Sequence, residues 1–222
     1  MIGNESFLTT TYNGFTTANQ YAIDITAFAD AMRSVDPTIK IIANGKTDWW
    51  QTILQSPAAD KIDYLANSNY LGSAFTSYAY YRDNRPDLNG ETNNAINAIN
   101  SFTTGANRDR IKVMESEYNS IAFATNGWPL QNNTGHALCN FQMLADGLLK
   151  PKLAASFLWN TRWITNQTEP QNIYDALDAN GNLNATGKAL KILSENLLNS
   201  MVTTSDGGFI KAYATYNNTD KK

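Results

Sequence analysis

Two spacings of apolar residues alternate along the chain. Between Tyr21 and Val35 apolar side chains recur every three or four residues, as they do on one face of an amphipathic helix. An Asp-Pro-Thr turn ends this segment, and the β-branched run Ile39–Gly45 that follows predicts a short strand. The apolar positions of the predicted helix are Tyr21, Ile25, Phe28, Ala29, Met32 and Val35.

The succession of a helix and a short apolar strand continues through most of the chain. Short apolar strands separated by helices are typical of a parallel sheet with right-handed crossovers. The pattern therefore predicts an α/β fold, either an open doubly wound sheet or a (β/α)8 barrel. A polar loop is predicted over residues 80–90. Further strands are predicted within 62–72, 111–119 and 153–163, and helices within 48–55, 91–102, 135–150 and 186–201.

The C-terminal residues leave this pattern. Apolar residues spaced mostly by two from Phe209 to Tyr216 are typical of a strand rather than of a helix. We predict that residues 1–203 belong to the α/β domain and that residues 204–222 begin a β-sandwich domain. The alternative is a frayed terminal strand.

Composition excludes several kinds of partner. A net charge of −3 without a long charged run argues against nucleic acid or an anionic membrane surface as the main partner. No apolar run reaches the length that spans a membrane. Apolar residues make up 42% of the chain, which is enough for a substantial core. The aromatic content of 11% suits either a core or the binding of sugar faces, and the composition predicts no particular oligomeric state.

Metal and nucleotide sites have no signature in the sequence. The single histidine, His136, argues against a histidine-rich metal site, and the single cysteine, Cys139, leaves no intrachain disulfide. No glycine-rich phosphate loop stands at a strand-to-helix turn, which argues against an open-sheet nucleotide binder. We therefore predict no metal and no cofactor, and we favour the barrel over the open sheet.

Polar and aromatic residues stand where the predicted strands end, which is where parallel α/β folds place their chemistry. Glu5 follows a short apolar start, Tyr70 and Glu117 end two later strands, and Trp159 ends the last. A glycosidase needs one carboxyl group kept protonated as an acid and one ionised as a nucleophile or base. A tyrosine hydroxyl can bond the nucleophile, and a tryptophan ring can support a sugar face. Neighbours with a predicted substrate role are Asn4, Asn69, Tyr118, Asn160, Arg162 and Trp163.

Two glutamates compete for the role of nucleophile on the strand that begins at Ile111. Because side chains alternate along a strand, Glu115 and Glu117 are expected to share one face, which is the inward face if Ile111 and Val113 point inward. Alternation does not separate them, but depth does, since Glu117 stands at the exit of the strand. We predict Glu117 as the nucleophile and Glu115 as a buried, partnered carboxylate.

Four stretches resemble the clan A glycoside hydrolases. They are "IGNE", "VDPTIKIIANG", "MESEYN" and "FLWNTRW", and they extend over nearly the whole chain. The resemblance implies a (β/α)8 barrel, with the acid/base glutamate after an asparagine at the fourth strand and the nucleophile at the end of the seventh. Glu5 then matches the acid/base, Glu117 the nucleophile, and Trp159 the tryptophan at the end of the eighth strand. It also implies double displacement with retention of configuration.

Within the clan, the stretches "GHALCNFQMLADGLLKPKLAASFLWNTRW" and "YDALDANGNLNATGKALKILSENL" look most like family 86, the β-agarases and porphyranases. Family 51 arabinofuranosidases and family 39 xylosidases share the pieces around Glu5 and Glu117. Many clan members carry His-x-Tyr at the sixth strand. Here Ser68 takes the place of that histidine, ahead of Asn69 and Tyr70.

Only four strands are predicted after Glu5, whereas the clan's barrel needs about eight. We therefore expect the chain to be the second half of the barrel, from the end of strand 4 to helix 8, cut at both ends. Weak or absent hydrolysis is expected from it in isolation. For the full-length protein we expect a polysaccharide or oligosaccharide substrate and a secreted or cell-surface location.

Two other readings of the chain remain as alternatives. A non-catalytic carbohydrate-binding fragment would keep the aromatic residues and would need neither Glu5 nor Glu117. An open-sheet hydrolase or nucleotide binder would need a serine elbow or a glycine-rich loop, and the sequence contains neither.

Overall fold

The computed structural model describes residues 1–8, 17–71, 78–84, 87–120, 133–162, 175–205 and 211–219. In these residues the chain is α/β, as the apolar pattern predicts. The strands are β1 (Ile42–Asn44), β2 (Tyr64–Tyr70), β3 (Lys112–Asn119), β4 (Leu153–Leu158), β5 (Ser200–Val202) and β6 (Ala214–Tyr216). The helices are α1 (Ala18–Val35), α2 (Thr47–Leu54), α3 (Tyr78–Asn84), α4 (Gly90–Phe102), α5 (Gly105–Arg110), α6 (Thr134–Leu148) and α7 (Ala185–Asn196), with a 3₁₀ turn at Pro57–Asp60.

The first four strands form one parallel sheet in the order β1-β2-β3-β4. Strands β1 and β2 pair in register from Ile42 opposite Tyr64 to Asn44 opposite Ala66. Ile2 adds a single parallel bridge to Ala43 on β1. Neighbours in the sheet follow one another in sequence with helices between them, which is the connection expected of barrel strands.

The chain divides into two compact units. Unit 1 comprises 1–68, 90–116 and 152–155, and unit 2 comprises 69–89, 117–151 and 156–222. Among the described residues, the core of unit 2 is built around Tyr118 and helix α6. The core side chains of unit 1 include Ile2, Tyr21, Ile25, Trp50, Ile53, Leu65, Ile99 and Val113. Those of unit 2 include Leu71, Leu88, Tyr118, Cys139 and Met143.

Helix starts follow from local side-chain caps. The side chain of Thr17 accepts the backbone N–H of Gln20 at the start of α1, and Asn133 and Asn184 do the same for α6 and α7. Such caps satisfy backbone donors that have no partner inside the helix. Along α1, the buried positions are Tyr21, Ala22, Ile25 and Ala29, whereas Phe28, Met32 and Val35 are exposed.

Three segments differ in secondary structure from the sequence-based expectation. Part of the predicted polar loop over 80–90 is helical, since α3 covers Tyr78–Asn84. The last helix ends at Asn196 rather than near Met201, because Met201 pairs with Thr215 in the antiparallel β5–β6 ladder. The six-residue helix α5 has no apolar period and was not predicted.

The C-terminal segment is anchored within unit 2. Asp146 on α6 accepts hydrogen bonds from Lys211 Nζ and Tyr213 Oη, each at 2.8 Å. The Tyr213 ring also lies edge-on to Phe141, with centroids 6.0 Å apart. The assignment of 204–222 to a separate β-sandwich domain stays a prediction.

None of the described helices is both long and apolar enough to cross a membrane. Among the same residues, no group of histidine, cysteine and carboxylate side chains could hold a metal ion. Cys139 is fully buried, and burial raises the pKa of its thiol to about 12. The thiol is therefore protonated and packs as a small apolar side chain.

Candidate active site

Glu5 lies in a short segment with unusual backbone geometry. Its φ is 44° and that of Gly3 is 71°, so both residues adopt the left-handed region. Glycine adopts this region freely, but a residue with a β-carbon does so at a cost of about 1 kcal/mol. Glu5 is half-buried and Asn4 is exposed. Strained backbone of this kind persists only where surrounding contacts hold it in place.

A buried polar cluster supplies such contacts. Its centre is Asn44, the last residue of β1, whose side-chain Oδ1 accepts the backbone N–H of Ser6 at 2.8 Å. The Asn44 amide nitrogen lies 2.9 Å from Ile2 O, 3.2 Å from Ser6 Oγ and 3.0 Å from Tyr21 Oη. Tyr21 Oη in turn donates to Ile2 O at 2.6 Å and accepts the backbone N–H of Asn44 at 2.9 Å. The cluster ties the residues on both sides of Glu5 to β1 and α1.

The hydroxyl of Tyr21 stays protonated in this cluster. Burial raises its pKa to about 12, although hydrogen bonds from the backbone of Asn44 and the side chain of Ser6 lower it in part. The hydroxyl is therefore protonated near neutral pH and donates to Ile2 O.

The Glu5 carboxyl group has a direct partner on β2. Ser68 Oγ donates to Glu5 Oε1 at 3.3 Å, and both side chains are half-buried. Ser68 takes the place at which the clan pattern has histidine, so the neighbour of the predicted acid/base is a neutral hydroxyl. The sequence pattern shows the missing histidine but gives no indication of the contact between Ser68 and Glu5.

The second predicted carboxylate is held by the tyrosine predicted beside it. Tyr70 Oη, at the end of β2, donates to Glu117 Oε2 at 2.7 Å. Both side chains are half-buried, so the carboxylate is supported without being closed off from solvent. A short hydrogen bond from a neutral hydroxyl to a carboxylate fixes its orientation and stabilises its charge.

The expectation that Glu115 and Glu117 share one face of β3 is wrong. Glu115 is fully buried and accepts a 2.8 Å hydrogen bond from Thr92 Oγ1 on α4, whereas Glu117 contacts Tyr70. Burial along β3 falls on Val113 and Glu115 and then moves to Tyr118, one position out of step. A β-bulge produces such a shift, because it places two successive residues on one side of the strand. Glu115 is a buried, partnered carboxylate, as predicted, but it faces α4 rather than the site.

Two residues predicted to bind substrate are instead buried. Tyr118 is 1% exposed and packs in the core of unit 2. Asn69 is 2% exposed, and its amide nitrogen donates to Leu88 O at 3.0 Å and to Asn89 Oδ1 at 3.3 Å. Their side chains therefore lie in the interior of unit 2 and support the ends of β2 and β3 there. Residues that alternate with site residues on a strand point to the opposite face, which accounts for Asn69 between Ser68 and Tyr70.

Residues after β4 complete the predicted set. Trp159 and Asn160 are half-buried, Arg162 is exposed, and Trp163 lies outside the described residues. The peptide bond between Trp159 and Asn160 is cis. The backbone N–H of Trp159 donates to Tyr118 O at 2.9 Å, and the Asn119 side chain donates to Trp159 O. Trp159 is thus fixed to the strand end that carries Glu117, within unit 2.

A polar cluster that sequence reasoning missed lies behind the end of β3. Ser120 Oγ is 3.0 Å from His136 Nδ1, and its backbone N–H donates to Asn140 Oδ1 at 2.6 Å. Asn140 also donates to Thr186 Oγ1 at 3.3 Å. Burial lowers the pKa of His136 to about 3, so its ring is neutral near neutral pH. Isolated polar residues within apolar helices are the only sequence signal for this cluster.

Solved structures of other proteins share the fold of this chain. The α-L-arabinofuranosidase from Thermotoga maritima superposes with a TM-score of 0.69 over 98% of the chain, at 20% sequence identity. The fold is shared with α-L-arabinofuranosidases. The family 51 enzyme from Thermotoga petrophila gives a TM-score of 0.67 over 92% of the chain, at 20% identity. That from Bifidobacterium longum gives 0.52 over 70%, at 15% identity.

These likenesses show the fold, which is part of a (β/α)8 barrel. The chain spans 48%, 41% and 37% of the length of the three structures, so it corresponds to less than half of each. They support the resemblance to clan A at the level of the fold, and they give no support to family 86 in particular. No family model and no curated protein matches the chain.

Proposed function

We propose that the chain carries the acid/base and the nucleophile of a retaining glycoside hydrolase. The observation that carries the proposal is the 2.7 Å hydrogen bond from Tyr70 to Glu117 at the carboxyl end of β3, in a fold shared with α-L-arabinofuranosidases. In such folds the carboxyl ends of the strands hold the reacting groups. A half-buried carboxylate oriented by one hydroxyl has a second oxygen with which to attack an anomeric carbon.

The proposed reaction is a double displacement. Glu117 attacks the anomeric carbon and forms a glycosyl ester, while Glu5 gives its proton to the departing oxygen. Glu5 then takes a proton from water, which attacks the ester and releases the sugar with its original configuration. The proposal requires the two carboxyl groups to stand roughly 5–5.5 Å apart when substrate is bound.

Strand β2 gives further support. Within unit 1, Ser68 donates a hydrogen bond to Glu5, the proposed acid/base. Within unit 2, Tyr70 donates one to Glu117, the proposed nucleophile. Each of the two carboxyl groups that the mechanism uses therefore has a hydroxyl partner in its own unit.

We favour an α-L-arabinofuranoside as the substrate, since the solved structures with the same fold are α-L-arabinofuranosidases. An agarase- or porphyranase-type activity remains the second candidate, on the resemblance of residues 135–163 to family 86. A xylosidase-type activity is the third.

The test is a substrate panel combined with product stereochemistry. The purified natural gene product is incubated with arabinan, aryl α-L-arabinofuranosides, agarose, porphyran and aryl xylosides. Proton NMR within the first minutes then identifies the anomer released. We expect turnover of the arabinofuranosides with retention. Inversion would refute the double displacement, and binding of a polysaccharide without any turnover would support a carbohydrate-binding module instead.

Replacing Tyr70 by phenylalanine removes the hydroxyl from Glu117 and leaves the ring. The hydroxyl holds the attacking carboxylate in position, and a misplaced nucleophile costs up to about 100-fold in rate, so we expect kcat to fall roughly 10- to 100-fold. Steady-state kinetics on an aryl glycoside measures the change. The matched control is Tyr64→Phe at the other end of β2, which should leave kcat within about twofold. Equal kcat values for the Tyr70→Phe variant and the unmodified protein would contradict the role given to Tyr70.

A further inference from the structure

We propose that Asn44 is a positioning residue that holds Glu5 in the backbone conformation needed for proton transfer. This inference rests on the proposed function, in which Glu5 is the acid/base. Asn44 lies at the end of β1, 39 positions further along the sequence, and is 4% exposed. None of its side-chain hydrogen bonds given above reaches the carboxyl group of Glu5, so it acts through the backbone on either side.

Local structure alone gives Glu5 little support. The preceding residues form one bridge, between Ile2 and Ala43, and no helix or longer strand contains Glu5. Its φ of 44° is unfavourable for a residue with a side chain. The hydrogen bond from Leu8 N to Glu5 O, at 2.8 Å, is the local contact that closes the turn. Asn44 adds a restraint from elsewhere in unit 1.

Asn44 provides that restraint on both sides of Glu5. Its Oδ1 fixes the N–H of Ser6, the next residue, and its amide nitrogen contacts Ile2 O, three residues earlier. The same nitrogen contacts Ser6 Oγ. Backbone pairing of β1 with β2 fixes Asn44 itself, opposite Ala66. The backbone from residue 2 to residue 6 is therefore pinned at both ends by one side chain.

Only an amide satisfies these partners together. The Ser6 N–H needs an acceptor, and Ile2 O needs a donor, so the side chain must offer both at neighbouring atoms. An alanine would leave the Ser6 N–H without this acceptor in a buried position, which favours rearrangement of the segment. An aspartate would place a carboxylate oxygen against the carbonyl oxygen of Ile2. Tyr21 Oη would still hold Ile2 O in either variant, so the fold of unit 1 should persist.

Leaving-group dependence separates positioning from general damage. Proton donation matters for a poor leaving group such as an alkoxide, and it matters little for dinitrophenolate. In the natural gene product we expect Asn44→Ala to lower kcat/KM for a methyl or alkyl glycoside by roughly tenfold or more, and to change kcat/KM for the dinitrophenyl glycoside less than about threefold. The parameter compared is kcat/KM, because it reports formation of the glycosyl ester and not the later attack of water, in which Glu5 acts as the base for every substrate. The Glu5→Ala variant should show the same pattern more strongly.

The matched control is Asn67→Ala. Asn67 is also a buried asparagine of unit 1, 3% exposed, and its amide donates to Thr92 rather than to the Glu5 segment. Asn67→Ala should lower both activities by the same factor or leave both unchanged. If Glu5→Ala shows the selective loss and Asn44→Ala does not, the positioning role is refuted while the proposed function stands. If Glu5→Ala shows no selective loss, the proposed function itself fails.

Amide hydrogen exchange supplies a readout that does not need activity. The Ser6 N–H donates to Asn44 Oδ1, so we expect its exchange to accelerate roughly tenfold or more in Asn44→Ala and to stay unchanged in Asn67→Ala. Unchanged exchange at Ser6 in Asn44→Ala would overturn the inference whether or not the protein turns over a substrate.

Discussion

In the natural gene product, the Glu117→Gln variant is expected to lose hydrolysis of every substrate that the unmodified protein cleaves. An amide oxygen does not form the glycosyl ester that the double displacement requires, so kcat should fall by at least about 10³-fold. The amide side chain of the variant still has an oxygen that can accept the hydrogen bond from Tyr70, so the substitution tests the nucleophile and not the fold. The measurement is initial-rate kinetics on an aryl glycoside, with the free energy of unfolding determined in parallel.

Glu115→Gln is the control for this prediction. It makes the same change two residues away on β3, at a fully buried carboxylate that accepts from Thr92. A glutamine oxygen can still accept that hydrogen bond, so we expect activity within a few-fold of the unmodified protein. The stability of Glu115→Gln can fall without affecting the conclusion.

A covalent label identifies the nucleophile without turnover measurements. A 2-deoxy-2-fluoro glycoside with a good leaving group forms a slowly hydrolysed glycosyl ester in retaining enzymes. We expect mass spectrometry of the digested protein to place this label on Glu117. A label on Glu115, or full activity of Glu117→Gln, would show that the assignment is wrong.

The spacing of apolar residues along the chain was sufficient to predict the parallel sheet of β1 to β4. Short apolar strands between helices have few alternatives in α/β proteins, and the four strands lie in the described structure where the pattern places them. Helix α1 shows the limit of this reasoning. Phe28 and Met32 continue the apolar face in sequence, but the structure exposes them beside the buried Ile25 and Ala29. The spacing of apolar residues predicts which side chains can face a core. It does not show how much of the helix surface the neighbouring elements cover.

Side-chain contacts within the candidate site were predictable only in part. Tyr70 and Glu117 were placed at neighbouring strand ends, and the structure joins them by a hydrogen bond. The change of face along β3 was not predictable, because strict alternation of side chains gives no signal for a shift in the burial pattern. Asn44 was also missed. Its partners at Ile2 and Ser6 are 42 and 38 positions away, and nothing in the local sequence indicates such long-range pairs.

His136 is expected to make the protein less stable as the pH falls. Its folded-state pKa is about 3, against an ordinary value near 6.5 in the unfolded chain. Between these values the unfolded state binds a proton that the folded state does not, so the free energy of unfolding decreases toward low pH. The stabilising contribution is fully present above about pH 6.5 and is lost as the pH falls toward 3. The slope is about 1.4 kcal/mol per pH unit.

The variant His136→Asn isolates this effect, because His136 is the only histidine of the chain. Asparagine keeps a polar atom near Ser120 but does not titrate. We expect His136→Asn to be less stable than the unmodified protein at pH 7, since it changes a fully buried contact. Between pH 6 and pH 5 the unmodified protein should lose about 1 kcal/mol more than the variant, so the gap between them narrows. Urea unfolding at several pH values measures both curves.

Asn140→Ala distinguishes titration from loss of the cluster. Asn140 lies on the same helix, is 1% exposed and accepts the N–H of Ser120, but it carries no titratable group. Its removal should lower stability by about 1–3 kcal/mol at every pH, giving a curve parallel to that of the unmodified protein. If the free energy of unfolding of His136→Asn also runs parallel to that of the unmodified protein across the pH range, the prediction is contradicted. His136 would then contribute nothing to the loss of stability at low pH. A curve that converges as the pH falls would show that burial of a neutral imidazole behind β3 makes the fold acid-sensitive.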